Sequence, residues 1–214
     1  GDLGGYIQSE ENLSRMDDAW ISDNAWVFGD ARVFDNAWVF DNARVSGNAR
    51  VSGNARVSGD ARVFDNVRVF GDARVFDNAW ISDNAWVFDN ARVFDNARVS
   101  GKACVFGNAH VSGDARVFGD ARVSGDARVF DNVRVFGDAL VENDKSIFWA
   151  TKVGNNNDTL TAFKNKDGKI TLVHECFIGS ISEFKATLEE KHSERTKREY
   201  KLLIKVAKSR ILGE

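Results

Sequence analysis

The residues best able to do chemistry in this 214-residue chain are three histidines, two cysteines and a long series of evenly spaced arginines and tryptophans. A general base must lie within hydrogen-bond reach of the proton it removes, and a partner must orient it. His110 lacks both in the sequence: it occupies a position filled elsewhere by Arg or Trp, and a surface substitution is the expected reading. His174 and Cys176 fall on one face of an expected strand, the arrangement of a thiol–imidazole nucleophile. The preferred reading is nevertheless a buried Cys176 beside a surface His174. His110, His174 and His192 sit in three different contexts, which argues against a three-histidine zinc centre. No catalytic residue, metal ligand or cofactor is expected.

The elements that carry these residues follow from an internal repeat of six. From Ile21 through Val141 every sixth residue is Val or Ile, 21 in succession, and two residues before each stands Ala, replaced only by Val67 and Val133. An α-helix turns about 100° per residue, so this period would scatter the aliphatic side chains and leave no continuous apolar stripe. In a strand, residues two apart share a face, so Ala25 and Val27 point inward while Trp26 and Phe28 point outward. The two remaining positions are almost always Gly, Asp or Asn, as in Asp23-Asn24 and Gly47-Asn48, residues that bend the chain with little strain. Each hexamer is thus one short strand and one corner. Identical corners and the absence of Pro let successive coils stack in register.

Units such as Val51-Ser52-Gly53-Asn54-Ala55-Arg56 resemble the hexapeptide-repeat, left-handed parallel β-helix family. The resemblance covers residues 19–144. It implies three hexamers per triangular coil, 18 residues to a turn, about seven coils, and a prism roughly 34 Å tall at a strand spacing of about 4.8 Å. The handedness comes from the resemblance alone. The family also contains acyltransferases, which imply a catalytic His and a loop interrupting the coils; neither is evident here. Its usual assembly is a trimer.

The residue before each Val or Ile is Arg in 13 hexamers and Trp in five: Trp20, Trp26, Trp38, Trp80 and Trp86. An 18-residue turn stacks Arg98, Arg116 and Arg134 in one column and Arg32, Arg50 and Arg68 in another. Like charges at that spacing repel unless anions lie nearby. The favoured expectation is a lattice that the corner Asp residues neutralise; the sharper one is an anion or nucleotide surface, with Arg for phosphate and aromatic rings for stacking. The locus chosen for such a ligand is Arg62, Arg68, Trp80 and Trp86. The residue after each Val is Phe in 12 hexamers, four to each side, so the rings must stack along columns or meet another subunit. An ice-binding array is excluded, because no Thr lies between residues 17 and 150.

Three segments are expected: a lead-in or cap (1–18), the β-helix (19–144) and a small C-terminal α/β domain (145–214) that caps it. In the last, Ser146–Val153, Thr159–Phe163 and Lys169–Glu175 read as strands separated by turn-rich sequence. Ser180 with Glu183 forms a capping box that opens a helix directing Phe184 and Leu188 toward the sheet. A second helix, about Glu194 to Ile211, carries Tyr200, Leu203, Ile204, Ala207 and Ile211 on one stripe. The opening Gly-Asp-Leu-Gly-Gly-Tyr-Ile, the array, and a tail containing Cys176-Phe177-Ile178-Gly179, Glu183-Phe184 and Glu199-Tyr200 resemble proteins of bacteriophages and bacterial prophages.

Net charge is −3, divided unevenly: residues 17–144 hold 14 Lys/Arg against 20 Asp/Glu, and residues 145–214 hold 14 against 9. Two cysteines far apart suit neither a disulfide framework nor a paired-cysteine zinc motif, and a reducing bacterial cytoplasm is expected. No apolar run approaches the roughly 20 residues that span a bilayer, and no secretory leader is seen, although the chain starts at Gly1 and a trimmed leader is left unjudged. The expected function is a non-catalytic binding or scaffold protein, homotrimeric, that holds an anionic or nucleotide ligand or a host protein. Neither membrane nor sequence-specific nucleic-acid binding is expected. The alternative is an acyltransferase using acyl-coenzyme A.

Overall fold

A computed structural model describes residues 4–191 and 193–214. His192 and the opening Gly1-Asp2-Leu3, both used in the sequence reading, lie outside them. From Trp20 to Val141 the chain forms two-residue parallel strands, one per hexamer, arranged in three sheets. Register partners are 18 residues apart throughout, as for Arg62 and Trp80 or Val69 and Val87, so three hexamers close one coil. The coils join through the groups that flank the strands: Arg62 N–H donates to Ala79 C=O (2.9 Å) and Phe64 N–H to Ile81 C=O (3.1 Å). Every inward Ala and Val from Ala31 through Val135 is fully buried, including Val67 and Val133.

The residue after each Phe or Ser has positive φ at every corner, from Asp23 (57°) to Gly137 (68°), and is always Asp or Gly. Gly pays no Cβ penalty there, and Asp tolerates the left-handed region better than most residues. Several Asp residues gain a second role. The carboxylates of Asp35, Asp41 and Asp83 accept the backbone N–H of Gly53 (2.9 Å), Gly59 (3.0 Å) and Gly101 (2.9 Å), each one coil onward. The Asn residues beside them form a parallel ladder, with Asn48 donating to Asn66 (3.1 Å) and Asn54 to Asp72 (2.9 Å). The Phe side chains stack as well. Phe70, Phe88 and Phe106 lie parallel with centroids 4.9 Å apart, and Phe76 with Phe94 repeats that geometry. Among the 12 outward Phe, only Phe28 and Phe130 remain exposed.

One sheet has eight strands, because the lead-in joins it: Tyr6–Ile7 pairs parallel with Trp26–Val27, and Leu13 bridges Val33 on the next sheet. The buried Asn12 amide donates to the carbonyls of Gly29 (2.9 Å) and Ala31 (2.8 Å), satisfying acceptors of the first full coil. The lead-in is thus a partial eighth coil.

At the other end lies a four-stranded antiparallel sheet, Ile147–Val153, Asp158–Lys164, Ile170–His174 and Phe177–Ser180, of which the last strand was not foreseen. Alternation assigns its two faces. Ile147, Phe163 and Val173 continue the solenoid core, while Leu160, Ala162 and Leu172 meet α1 (Ile181–Lys191) and α2 (Glu194–Leu212). The capping box forms: Ser180 N–H donates to Glu183 Oε2 (2.7 Å), and Glu183 N–H donates to Ser180 Oγ (3.3 Å). Phe184, Leu188, Tyr200, Ile204 and Ala207 are all buried. Among the described residues no helix is long and apolar enough to cross a membrane.

Candidate anion-binding site

One face of the solenoid presents a single outward column, Trp26, Arg44, Arg62, Trp80, Arg98, Arg116 and Arg134, each in register with the next. Among the described residues no array arginine here or on the other faces makes an ion pair; the salt bridges all involve Arg15 or lysines outside the array. The expected Arg–Asp lattice therefore contains no direct ion pair. Part of the reason is visible at the corners, where the carboxylates of Asp35, Asp41 and Asp83 accept backbone N–H groups instead of guanidinium. Aligned N–H groups at fixed distance are better partners for a short side chain than an arginine whose long stem must be immobilised.

Four arginines find tryptophan. Arg62 lies over Trp80 at 5.3 Å, with Arg98 on the same ring at 6.0 Å; Arg68 lies over Trp86 at 4.8 Å and Arg56 over Trp38 at 5.3 Å. The quartet Arg62, Arg68, Trp80 and Trp86 accordingly separates into two cation–π pairs on adjacent faces, as an offset of one hexamer requires. Only Arg62 and Trp80 belong to the long column; there they border a hollow of about 230 Å³ with Phe28, Arg44, Ser46 and Phe64. The other pair, Arg68 with Trp86, lies on the adjacent face at the same level of the coils.

The lower end of that column is different. Arg98, Arg116 and Arg134 line a cleft of about 300 Å³ with the corner residues Asn96, Asp114 and Asn132, and Asp158 of the C-terminal sheet closes one side. Arg134 is anchored, its Nη1 donating to the Glu175 carbonyl at 3.1 Å. Three permanent positive charges face two carboxylates. Sequence periodicity located the column, but the contribution of Asp158 depends on how the C-terminal sheet docks.

Behind Asp158, its carboxylate, the His174 imidazole and the Glu175 carboxylate place donor atoms within 4.8 Å of one another, a set that could receive a cation. His174 is buried and its Nε2 lies 2.9 Å from the Tyr200 hydroxyl, whereas Cys176 is exposed. This reverses the expected burial of that pair: Cys176 falls in the turn after the strand, leaving His174 at its inward-facing end. Burial pushes the Tyr200 hydroxyl up to about 12, with Glu175, Glu199 and Asp158 adding to it.

His110 stands half-buried in register between Arg92 and Arg128. Burial, then Arg92 and Arg128, hold its imidazole below the usual histidine range, so it is a neutral ring near neutral pH. No carboxylate or other side chain forms a hydrogen bond that orients it, among the described residues. Burial raises the Cys104 thiol, against the opposing pull of Arg122, and so disfavours a thiolate.

Coils, corners and end sheet define a repeat β-solenoid. A family model described as the YdcK beta solenoid repeat matches overlapping windows that together span residues 37–69 and 109–135. Among solved structures, a Bacillus cereus protein named "putative acetyltransferase" is similar over 98% of this chain and 99% of its own, at 13% identity and a TM-score of 0.33, a likeness that carries no argument about activity. No curated protein matches the chain.

Proposed function

We propose that this protein is a non-catalytic binding scaffold whose solenoid holds an anionic ligand on its arginine columns. The observation that supports it is the set of array arginines left without ion pairs among the described residues, while corner carboxylates such as Asp35, Asp41 and Asp83 are engaged by backbone N–H groups. Stacked guanidinium groups in register repel one another, and an anion relieves that repulsion with charge-assisted hydrogen bonds. The rings of Trp80 and Trp86 offer stacking planes beside Arg62 and Arg68, which is the arrangement a nucleotide signal would use. The phage-like opening and tail support a setting in a bacterial host cytoplasm, with sequestration of such a signal as the role. Trp20, Trp26 and Trp38 are exposed on the first coils, and we assign them to contacts in a homotrimer.

The test is calorimetry of the purified protein against inorganic triphosphate at low and moderate salt, with an acetyl-coenzyme A turnover assay in parallel. Saturable, salt-sensitive binding without turnover is expected. Absence of anion binding would leave a scaffold with no ligand role. Steady turnover abolished by His110→Ala would make the protein an acyltransferase instead.

A further inference from the structure

We infer that the cleft between Arg116 and Asp158 is a site for a small phosphate ester that carries hydroxyl donors beside its phosphate. The inference rests on the anion-binding reading and specifies where and what. Of the three arginines, Arg98 shares Trp80 and Arg134 is held by the Glu175 carbonyl, but Arg116 lies between them without an ion pair or a ring partner among the described residues. Its guanidinium is the natural seat of a phosphate, which it can hold through two parallel hydrogen bonds, with Arg98 and Arg134 one coil away on either side.

The carboxylates set the class of ligand. Asp114 stands in the floor two residues before Arg116, and Asp158 reaches in from the C-terminal sheet, so the cleft offers acceptors as well as donors. They weaken the hold of the three arginines on a bare polyanion and leave it without a partner for the acceptors. A sugar phosphate or nucleotide places its phosphate on guanidinium and its ribose hydroxyls within reach of carboxylate, using both halves of the site. A cleft of about 300 Å³ suits a molecule of that size and leaves little room for a folded polymer. The C-terminal domain thereby supplies part of the site as well as covering the solenoid end.

The experiment is calorimetry with four probes: inorganic phosphate, ribose 5-phosphate, adenosine 5′-monophosphate and unphosphorylated ribose. The proteins are the parent, Arg116→Ala, Asp158→Asn, and Arg50→Ala as a control from the column on the adjacent face, about four coils away from the cleft end. Ribose 5-phosphate is expected to bind more tightly than phosphate, and ribose not to bind. Arg116→Ala should weaken ribose 5-phosphate by about tenfold or more, the scale of a lost charge-assisted pair, with Arg50→Ala neutral. Asp158→Asn keeps the Oδ1 that accepts the Thr159 N–H, and circular dichroism checks that the variant folds. It should weaken ribose 5-phosphate and strengthen inorganic phosphate, opposite signs that a merely structural Asp158 would not give. Adenosine monophosphate tighter than ribose 5-phosphate would identify the ligand as a nucleotide, and equal affinity would identify a sugar phosphate; either supports the site. Equal losses in Arg116→Ala and Arg50→Ala would overturn the cleft yet leave anion binding by the array intact. Asp158→Asn without effect on either probe would overturn the hydroxyl half. Failure of every phosphate to bind would remove both readings.

Discussion

The carboxylate of Asp83 accepts the backbone N–H of Gly101, one coil onward, at 2.9 Å, although Asp83 is exposed and its own φ is +61°. One residue thereby bends the chain and ties two coils together, and its carboxylate is held by the backbone rather than by a guanidinium. Its contributions can be separated. Asp83→Asn keeps both the acceptor and tolerance of positive φ, and should melt near the parent. Asp83→Gly keeps only the conformation and should cost about 1 kcal/mol, the worth of one such hydrogen bond. Asp83→Ala loses both and should cost roughly 1 kcal/mol more. Urea titration monitored by circular dichroism ranks the three, and Ala as stable as Asn would deny the corner hydrogen bond any role.

The corner glycines differ in a way that backbone conformation does not reveal. Gly47 and Gly137 have φ of +67° and +68°. A Cβ on Gly47 would lie 2.7 Å from the backbone nitrogen of Asp65, whereas one on Gly137, at the last coil, meets nothing within 4 Å. Gly137→Ala should therefore cost only the strain of the left-handed region, about 1–2 kcal/mol. Gly47→Ala must also push two coils apart and should cost visibly more. Equal midpoints in urea would show that coil spacing adjusts freely.

Val69 lies in the middle of the array with no exposed surface. Val69→Asp would place a carboxylate among aliphatic side chains with no donor facing it, a loss of several kcal/mol. Unfolding or a strongly lowered melting temperature is expected by circular dichroism. A melt within a degree or two of the parent would mean that the assigned register is wrong.

That register was legible because Ala25 and Val27, and their counterparts in every hexamer, obey a rule only a stacked coil satisfies. The lead-in shows where the rule weakens. Ile7 and Leu13 keep the six-residue spacing, but Leu13 and Ile21 are eight apart, and this two-residue insertion hid the partial coil that pairs Tyr6–Ile7 with Trp26–Val27. The strand Phe177–Ser180 was hidden by its turn: Glu175 takes φ +50° at a position where Gly or Asn would have announced a hairpin. The arginine column was also legible, but its lack of ion pairs was not, because sequence places Asp near Arg without saying that backbone N–H groups engage the carboxylate first. Asp158 entered the cleft through docking of the C-terminal sheet, which no periodicity encodes.

Tyr200 provides the pH-dependent prediction. Its hydroxyl lies 2.9 Å from His174 Nε2 beneath α2, and a Cβ on Gly154 would run into it, so the ring is closely housed. Burial is the main cause that raises it from 10 to about 12, followed by the charges of Glu175, Glu199 and Asp158. The folded protein thus keeps the phenol protonated at a pH where the unfolded chain has released its proton. The stabilisation is complete below pH 10 and is lost as pH rises from there to about 12. Ultraviolet titration should show a tyrosine ionising only near the top of that range and absent from Tyr200→Phe. The Phe variant should be less stable than the parent at pH 7, because it removes the hydroxyl contact with His174, and the difference should shrink as pH climbs past 10. A gap between the two proteins that stays constant from pH 7 to pH 12 would mean that the hydroxyl is open to solvent and that Tyr200 does not hold the C-terminal domain through His174.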